Sequence, residues 1–92
     1  MKQTYSSNIE KLADTILQGI SDFKAGQQPS QSRSVSIWKW VRMGFLKNGI
    51  TEIKTIELNS DAPESRKLLC DILQKLAEKD AVFKAKIEEF TD

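Results

Sequence analysis

The chain has 92 residues, of which 39% are hydrophobic and 29% are charged, as in an ordinary globular domain. A chain of this length can build one modest core but not a second domain. Its 14 basic and 13 acidic residues nearly cancel, and it has no histidine, the residue most often used as general base and metal ligand. These features disfavour an enzyme and favour a small binding domain.

The single cysteine, Cys70, cannot form an internal disulfide and has too few partners for a zinc site. Its position between Leu69 and Ile72 favours a packing role, although Lys67 and Asp71 leave a partly exposed thiol as the alternative. The N-terminal residues include charged positions and form no long apolar run, so we expect neither a leader nor a membrane span. The sequence therefore predicts a cytoplasmic protein.

The first predicted helix covers residues 7–25, where apolar residues recur at steps of three and four. Ser7 and Glu10 match a capping box, and Gly26 provides a stop. The predicted buried stripe consists of Ile9, Leu12, Ala13, Ile16, Leu17, Ile20 and Phe23.

Residues 26–34 contain no apolar residue and are rich in Gly, Pro, Ser and Gln, which predicts an exposed flexible loop. The loop is long for a connection between helices, so folding against a partner is the alternative.

A second helix is predicted from Ser34 or Ser36, either of which can serve as its cap, to about Asn48 and Gly49. Its expected buried stripe is Ile37 or Trp38, followed by Val41 and Phe45. Trp38 and Trp40 lie about 200° apart on a helix, so one should enter the core while the other lies at its rim or on the surface.

Residues 50–58 are rich in β-branched side chains but have Ile at steps of three. Since no second strand exists to pair with them, we expect a short helix over residues 51–58, with an extended segment as the alternative.

A further helix should begin near Ser60 or Asp61, with Pro63 in its first turn, and Asp80 can cap a last helix. The sequence leaves open whether residues 62–91 form two helices or one kinked helix. The expected buried residues are Leu68, Leu69, Ile72, Leu73 and Leu76, then Val82, Phe83, Ile87 and Phe90. We therefore predict one all-α domain over residues 1–92, a compact bundle of four to five short helices made of an N-terminal helix (7–25), a loop (26–34) and a helical remainder (35–92).

No group of residues suits a catalytic site, because Glu88 and Glu89 diverge on a helix and the pair Glu78 and Asp80 is explained by capping. The four glycines are scattered and form no phosphate-binding loop. We assign no catalytic, cofactor-binding or metal-binding residue and expect no cofactor.

Charge is unevenly distributed along the chain. Residues 24–54 contain six basic residues and one acidic residue, whereas residues 55–92 contain nine acidic and six basic residues. A basic helix with interleaved tryptophans could bind nucleic acid, while the thin spread of charge disfavours both this function and binding to a membrane surface. The residues for the nucleic-acid alternative are Arg33, Lys39, Arg42, Lys47 and Lys54.

The helix that contains both tryptophans combines Trp, Met and Arg, which are enriched at the centres of protein interfaces. We therefore expect a non-enzymatic protein-interaction, assembly or regulatory adaptor module that binds a protein partner or itself. The candidate contact residues are Trp38, Lys39, Trp40, Arg42 and Met43.

A Trp-containing helix, a Leu-rich helix, an Asp that starts another helix and a nearby aromatic residue follow one another in residues 36–90. This order resembles small helical modules of bacterial effector-associated, signalling or defence proteins, and it implies an adaptor or regulatory role through helix-to-helix association. The chain departs from them in its extra N-terminal helix, and we expect no attached effector domain. The matching positions are Trp38, Leu69, Leu73, Leu76, Asp80 and Phe83.

Overall fold

The computed structural model describes residues 5–91. The predicted domain also includes residues 1–4 and 92, and the expectation of no leader depends partly on residues 1–4. These residues lie outside the described residues. The described residues form five helices and no strand, so the prediction of an all-α bundle is confirmed. The helices are α1 (Ser7–Lys24), α2 (Arg33–Lys47), α3 (Glu52–Leu58), α4 (Pro63–Lys79) and α5 (Ala81–Thr91). The radius of gyration, 12.3 Å, matches the value of about 12 Å expected for one domain of this length. No helix within residues 5–91 is both long and apolar enough to cross a bilayer.

The α1 helix buries the predicted stripe except for Leu17, which is only partly buried, and Phe23, which is exposed. Its N-cap is Ser6, whose hydroxyl accepts a hydrogen bond from Ile9 N, so the predicted cap at Ser7 is wrong by one residue. Phe23 lies in the last turn, beyond the edge of the core, and is 38% exposed. Beyond the helix, Gly26 adopts a φ of 99°, a left-handed conformation that favours glycine and ends α1 as predicted.

The connection from α1 to α2 is shorter than predicted, because α2 begins at Arg33. Its cap is Ser32, whose hydroxyl accepts from Val35 N, and neither Ser34 nor Ser36 has that role. Ser34 instead donates to the carboxylate of Asp22 at 2.7 Å, which ties the start of α2 to the end of α1.

The α2 helix lies against α1 and buries the expected candidates for its stripe, Ile37, Trp38, Val41 and Phe45. It also buries Val35, which the prediction did not include. Trp38 is 5% exposed, whereas Trp40 is half-buried at the rim of the core. The division of the two indoles between core and rim is therefore confirmed. The helix ends at Lys47, and Gly49 follows with a φ of 72°.

The ambiguous segment after α2 is helical, as expected. The α3 helix buries Ile53 and Ile56, which lie one turn apart and face the core. Its other residues remain accessible, and Leu58 at its C-terminal end is 81% exposed.

Residues 62–91 form two helices that meet at Asp80, whose extended backbone (φ −129°, ψ 109°) breaks the chain direction. Asp80 caps α5 as predicted, because its carboxylate accepts from Val82 N at 3.0 Å and Phe83 N at 3.2 Å. Several details differ from the prediction. Leu68 and Phe90 pack against the core but are only partly buried. The cap residue of α4 is Ala62, so neither Ser60 nor Asp61 caps it, and Val82 is 71% exposed because it lies on the outer side of α5.

Candidate functional site

The contact residues predicted on α2 lie on two different sides of that helix. Lys39 and Arg42 face a groove between α1, α2 and α3, at whose base Trp38 lies. Trp40 and Met43 line a separate depression between α2 and α5. The structure therefore divides the predicted patch into two surfaces.

The larger surface, which we call the basic groove, has a volume of about 520 Å³. It combines apolar side chains with four cations and one carboxylate. Its lining residues are Ile20, Phe23, Lys24, Trp38, Lys39, Arg42, Lys54, Glu57 and Leu58.

The carboxylate of Glu57 organises one wall of the basic groove. Its Oε2 atom accepts hydrogen bonds from Trp38 Nε1 at 3.0 Å and from Arg42 Nε at 2.8 Å. The Glu57 side chain is 17% exposed and the Arg42 side chain is 35% exposed. Both donors thus bind one oxygen of the carboxylate, and the bond from Arg42 holds the guanidinium at the groove while part of it stays in contact with solvent.

Two of the other three cations of the groove, Lys24 and Lys39, are positioned without carboxylates. Lys24 Nζ donates to the backbone carbonyl of Glu57 at 2.8 Å, in the last turn of α3, where the helix dipole favours positive charge. Lys39 Nζ lies 4.4 Å from the ring centroid of Phe23 and 5.2 Å from that of Trp38. Contacts with a carbonyl oxygen and with ring faces orient these two ammonium groups but do not neutralise them.

Several residues of the basic groove were missed by the sequence reasoning, which had assigned Phe23 to the core and given no role to Lys24, Glu57 or Leu58. The available signals were weak: Phe23 ends the apolar stripe of α1, and Leu58 ends an otherwise polar side of α3. Their proximity depends on how the C-terminal ends of α1 and α3 meet beside the middle of α2, which periodicity within one helix does not reveal.

The second depression, between α2 and α5, is smaller, at about 220 Å³. Trp40 stacks on Phe83 with 5.6 Å between ring centroids and meets Phe90 edge-on at 5.4 Å. The indole therefore joins α5 to α2 and is not an exposed anchor. Met43 (64% exposed) and Val82 (71% exposed) flank it as separate apolar side chains.

A third depression of about 370 Å³ lies between α1, α4 and α5, with charges of both signs from Glu78, Lys84 and Glu88. Gln74 lines it, and the Oε1 atom of that side chain is buried without a hydrogen-bond partner in the described structure. The amide itself is only partly buried, and the mixed charges favour no particular ligand.

The five basic residues of the nucleic-acid alternative do not form one surface. Lys39, Arg42 and Lys54 line the basic groove, whereas Lys47 lines the depression beside α5. Arg33 donates to the backbone carbonyl of Phe90 at the end of α5.

Two potentially reactive side chains outside the grooves, Cys70 and Tyr5, are held by core packing and by a hydrogen bond, respectively. Burial is the main cause that raises the pKa of the Cys70 thiol, and its side chain belongs to the core, which favours the packing role. The hydrogen bond to the carboxylate of Asp71 is the main cause that raises the pKa of Tyr5 to about 12. Within residues 5–91, no three Cys, Asp or Glu side chains are grouped closely enough to hold a metal ion.

An all-α bundle with an open basic and apolar groove is thus the class of structure that the chain defines. Comparisons with protein-family models, with curated proteins and with solved structures find no match to this chain. The resemblance to bacterial effector-associated modules therefore stays an expectation based on residue pattern.

Proposed function

We propose that this chain is a non-enzymatic protein-interaction module that binds its partner in the basic groove. The observation that carries the proposal is the exposed apolar edge of the groove, where Leu58 is 81% exposed and Phe23 is 38% exposed beside positioned cations. Exposed apolar side chains beside polar groups are typical of interaction sites, because a partner that covers them removes their apolar surface from water.

The hydrogen bonds that hold the side chains of this surface also favour binding. Glu57 links α3 to α2 through Trp38 and Arg42, and Lys24 links α1 to α3. Side chains already held in place lose less conformational entropy when a partner binds, so more of the contact energy appears as affinity.

The test is a selection of randomised 12-residue peptides displayed on phage against the purified chain, followed by fluorescence-anisotropy titration of the selected peptides. Leu58→Glu should weaken their binding about tenfold or more, because it removes an apolar contact and puts a carboxylate on the groove edge. Val82→Glu is the matched control, since Val82 is also exposed on a helix but lies outside the groove. It should change affinity less than about twofold.

Circular dichroism should show both variants to be folded, because neither residue belongs to the core. Failure to select any peptide, or an equal loss of binding in the two variants, would contradict the proposed function.

A further inference from the structure

We infer that the occupant of the basic groove is an acidic segment of a partner protein, with one large apolar side chain flanked by Asp or Glu residues. This inference rests on the proposed function and adds the chemistry of the partner. It follows from the charges of the groove, from the way they are held and from the apolar side chains left accessible.

The accessible charge of the basic groove is strongly positive. Lys24, Lys39, Arg42 and Lys54 line it together with one carboxylate, that of Glu57, which already accepts two hydrogen bonds. Arg42 forms the only ion pair among these residues in the described structure. Three ammonium groups therefore remain without a carboxylate, and a partner that carries carboxylates would complement them.

The apolar residues of the groove indicate that the partner segment also carries an apolar side chain. Phe23 and Leu58 are exposed beside the cations, so a purely acidic segment would leave them in water. One large apolar side chain inserted between these two residues would cover them and exclude water from the surrounding ion pairs. Each such contact is favourable because it removes apolar surface from water.

The same geometry disfavours nucleic acid as the occupant. Stacking of a base requires a free aromatic face, but Trp38 is only 5% exposed. The ring of Phe23 has the ammonium group of Lys39 at 4.4 Å from its centroid. The groove thus offers cations, the aliphatic side chain of Leu58 and a Phe23 ring that already contacts Lys39 and, at 5.3 Å between centroids, Trp38. These surfaces suit carboxylates and an apolar side chain better than a string of bases.

The experiment extends the peptide selection to charge variants of the groove. On the natural chain, the selected 12-residue peptides should be enriched in Asp and Glu around one large apolar residue. The double variant Lys39→Glu and Lys54→Glu should weaken these peptides about tenfold or more, and a new selection on it should enrich Lys and Arg. The matched control, Lys67→Glu with Lys75→Glu, has the same net charge but alters exposed residues of α4, and it should keep the affinity within about threefold.

Salt gives a second readout. Raising NaCl from 50 to 300 mM should weaken the acidic peptides severalfold on the natural chain, and less so on the variant Lys39→Gln with Lys54→Gln, because screening acts on exposed charge pairs.

The outcomes separate this inference from the proposed function. Neutral or basic peptides that still require Leu58 would overturn the acidic partner while leaving the groove as the binding site. If a 12-nucleotide single strand binds more tightly than every selected peptide and loses affinity in the Lys39 and Lys54 double variant, the occupant is nucleic acid and the inference is wrong. If no selected peptide depends on Leu58, both the proposed function and the acidic partner are wrong.

Discussion

Asp22 joins the end of α1 to the start of α2 through side-chain hydrogen bonds. Its carboxylate accepts from Ser34 Oγ at 2.7 Å and from Gln18 Nε2 at 2.8 Å. The bond from Ser34 is the main cause that lowers the pKa of Asp22 below its usual 3.8, with Gln18 the next. A carboxylate whose pKa is lower in the folded state stabilises the fold above its unfolded pKa, and that stability is lost as the pH falls through the folded pKa.

The Ser34→Ala variant should therefore melt at a lower temperature than the natural chain at pH 6, and this difference should shrink below about pH 4 as Asp22 becomes protonated. Thermal melts followed by circular dichroism between about pH 2 and pH 7 measure it. Ser36→Ala is the matched control, because Ser36 is exposed on the same helix and makes no side-chain hydrogen bond in the described structure. A melting difference for Ser34→Ala that stays constant across this range would contradict the role of Asp22.

Helix caps show what residue patterns alone can and cannot specify. Ser6 and Ser7, or Ser32, Ser34 and Ser36, offer the same hydroxyl group at neighbouring positions, so the local sequence favours none of them strongly. The choice depends on where the buried stripe of each helix meets the core. Asp80 was predicted correctly because it is the only capping residue at the break between two apolar stripes.

At the scale of helices, periodicity predicts the elements well because each helix buries one side. It also places Trp38 and Trp40 on different sides of α2. The basic groove could not be predicted in this way, since Phe23 and Leu58 end helices that are far apart in sequence. Their meeting is a consequence of how α1, α2 and α3 pack.

The packing of α1 on α2 depends on Gly19. A Cβ atom at this position would clash with the backbone carbonyl oxygen of Ser34 and lie 2.7 Å from its carbonyl carbon. Backbone atoms of a packed helix cannot move aside as the end of a flexible side chain can. Gly44, in contrast, has room, because a Cβ there would lie 3.7 Å from the nearest atom of Phe83.

Replacing each of the two glycines with alanine should therefore change the free energy of unfolding in opposite directions. Gly19→Ala should lower the free energy of unfolding by about 1–3 kcal/mol, because overpacking outweighs the better helix propensity of alanine. Gly44→Ala should raise the free energy of unfolding by about 0.5–1 kcal/mol, since only the propensity changes. Urea denaturation of both variants measures this, and changes of the same sign would contradict the close approach of α1 and α2 at Gly19.

The whole molecule has one continuous core to which all five helices contribute buried residues. The cooperative unfolding of α5 with the other helices most needs a test, because α5 buries only Phe83 and Ile87 and follows a break at Asp80. Its aromatic contacts with Trp40 nevertheless connect it to α2. Since no boundary divides the core, we expect α5 to unfold together with the other helices.

The two tryptophans can test this cooperativity, because Trp40 reports on α5 and Trp38 reports on the contacts between α2 and α3. In Trp38→Phe the remaining indole is Trp40, and in Trp40→Phe it is Trp38. Within each variant, the urea midpoints from tryptophan fluorescence and from far-UV circular dichroism should coincide, although the two variants will differ in stability. A fluorescence midpoint for Trp38→Phe that precedes its circular dichroism midpoint would mean that α5 detaches first, because Trp40 would then lose Phe83 and Phe90 while the remaining helices persist.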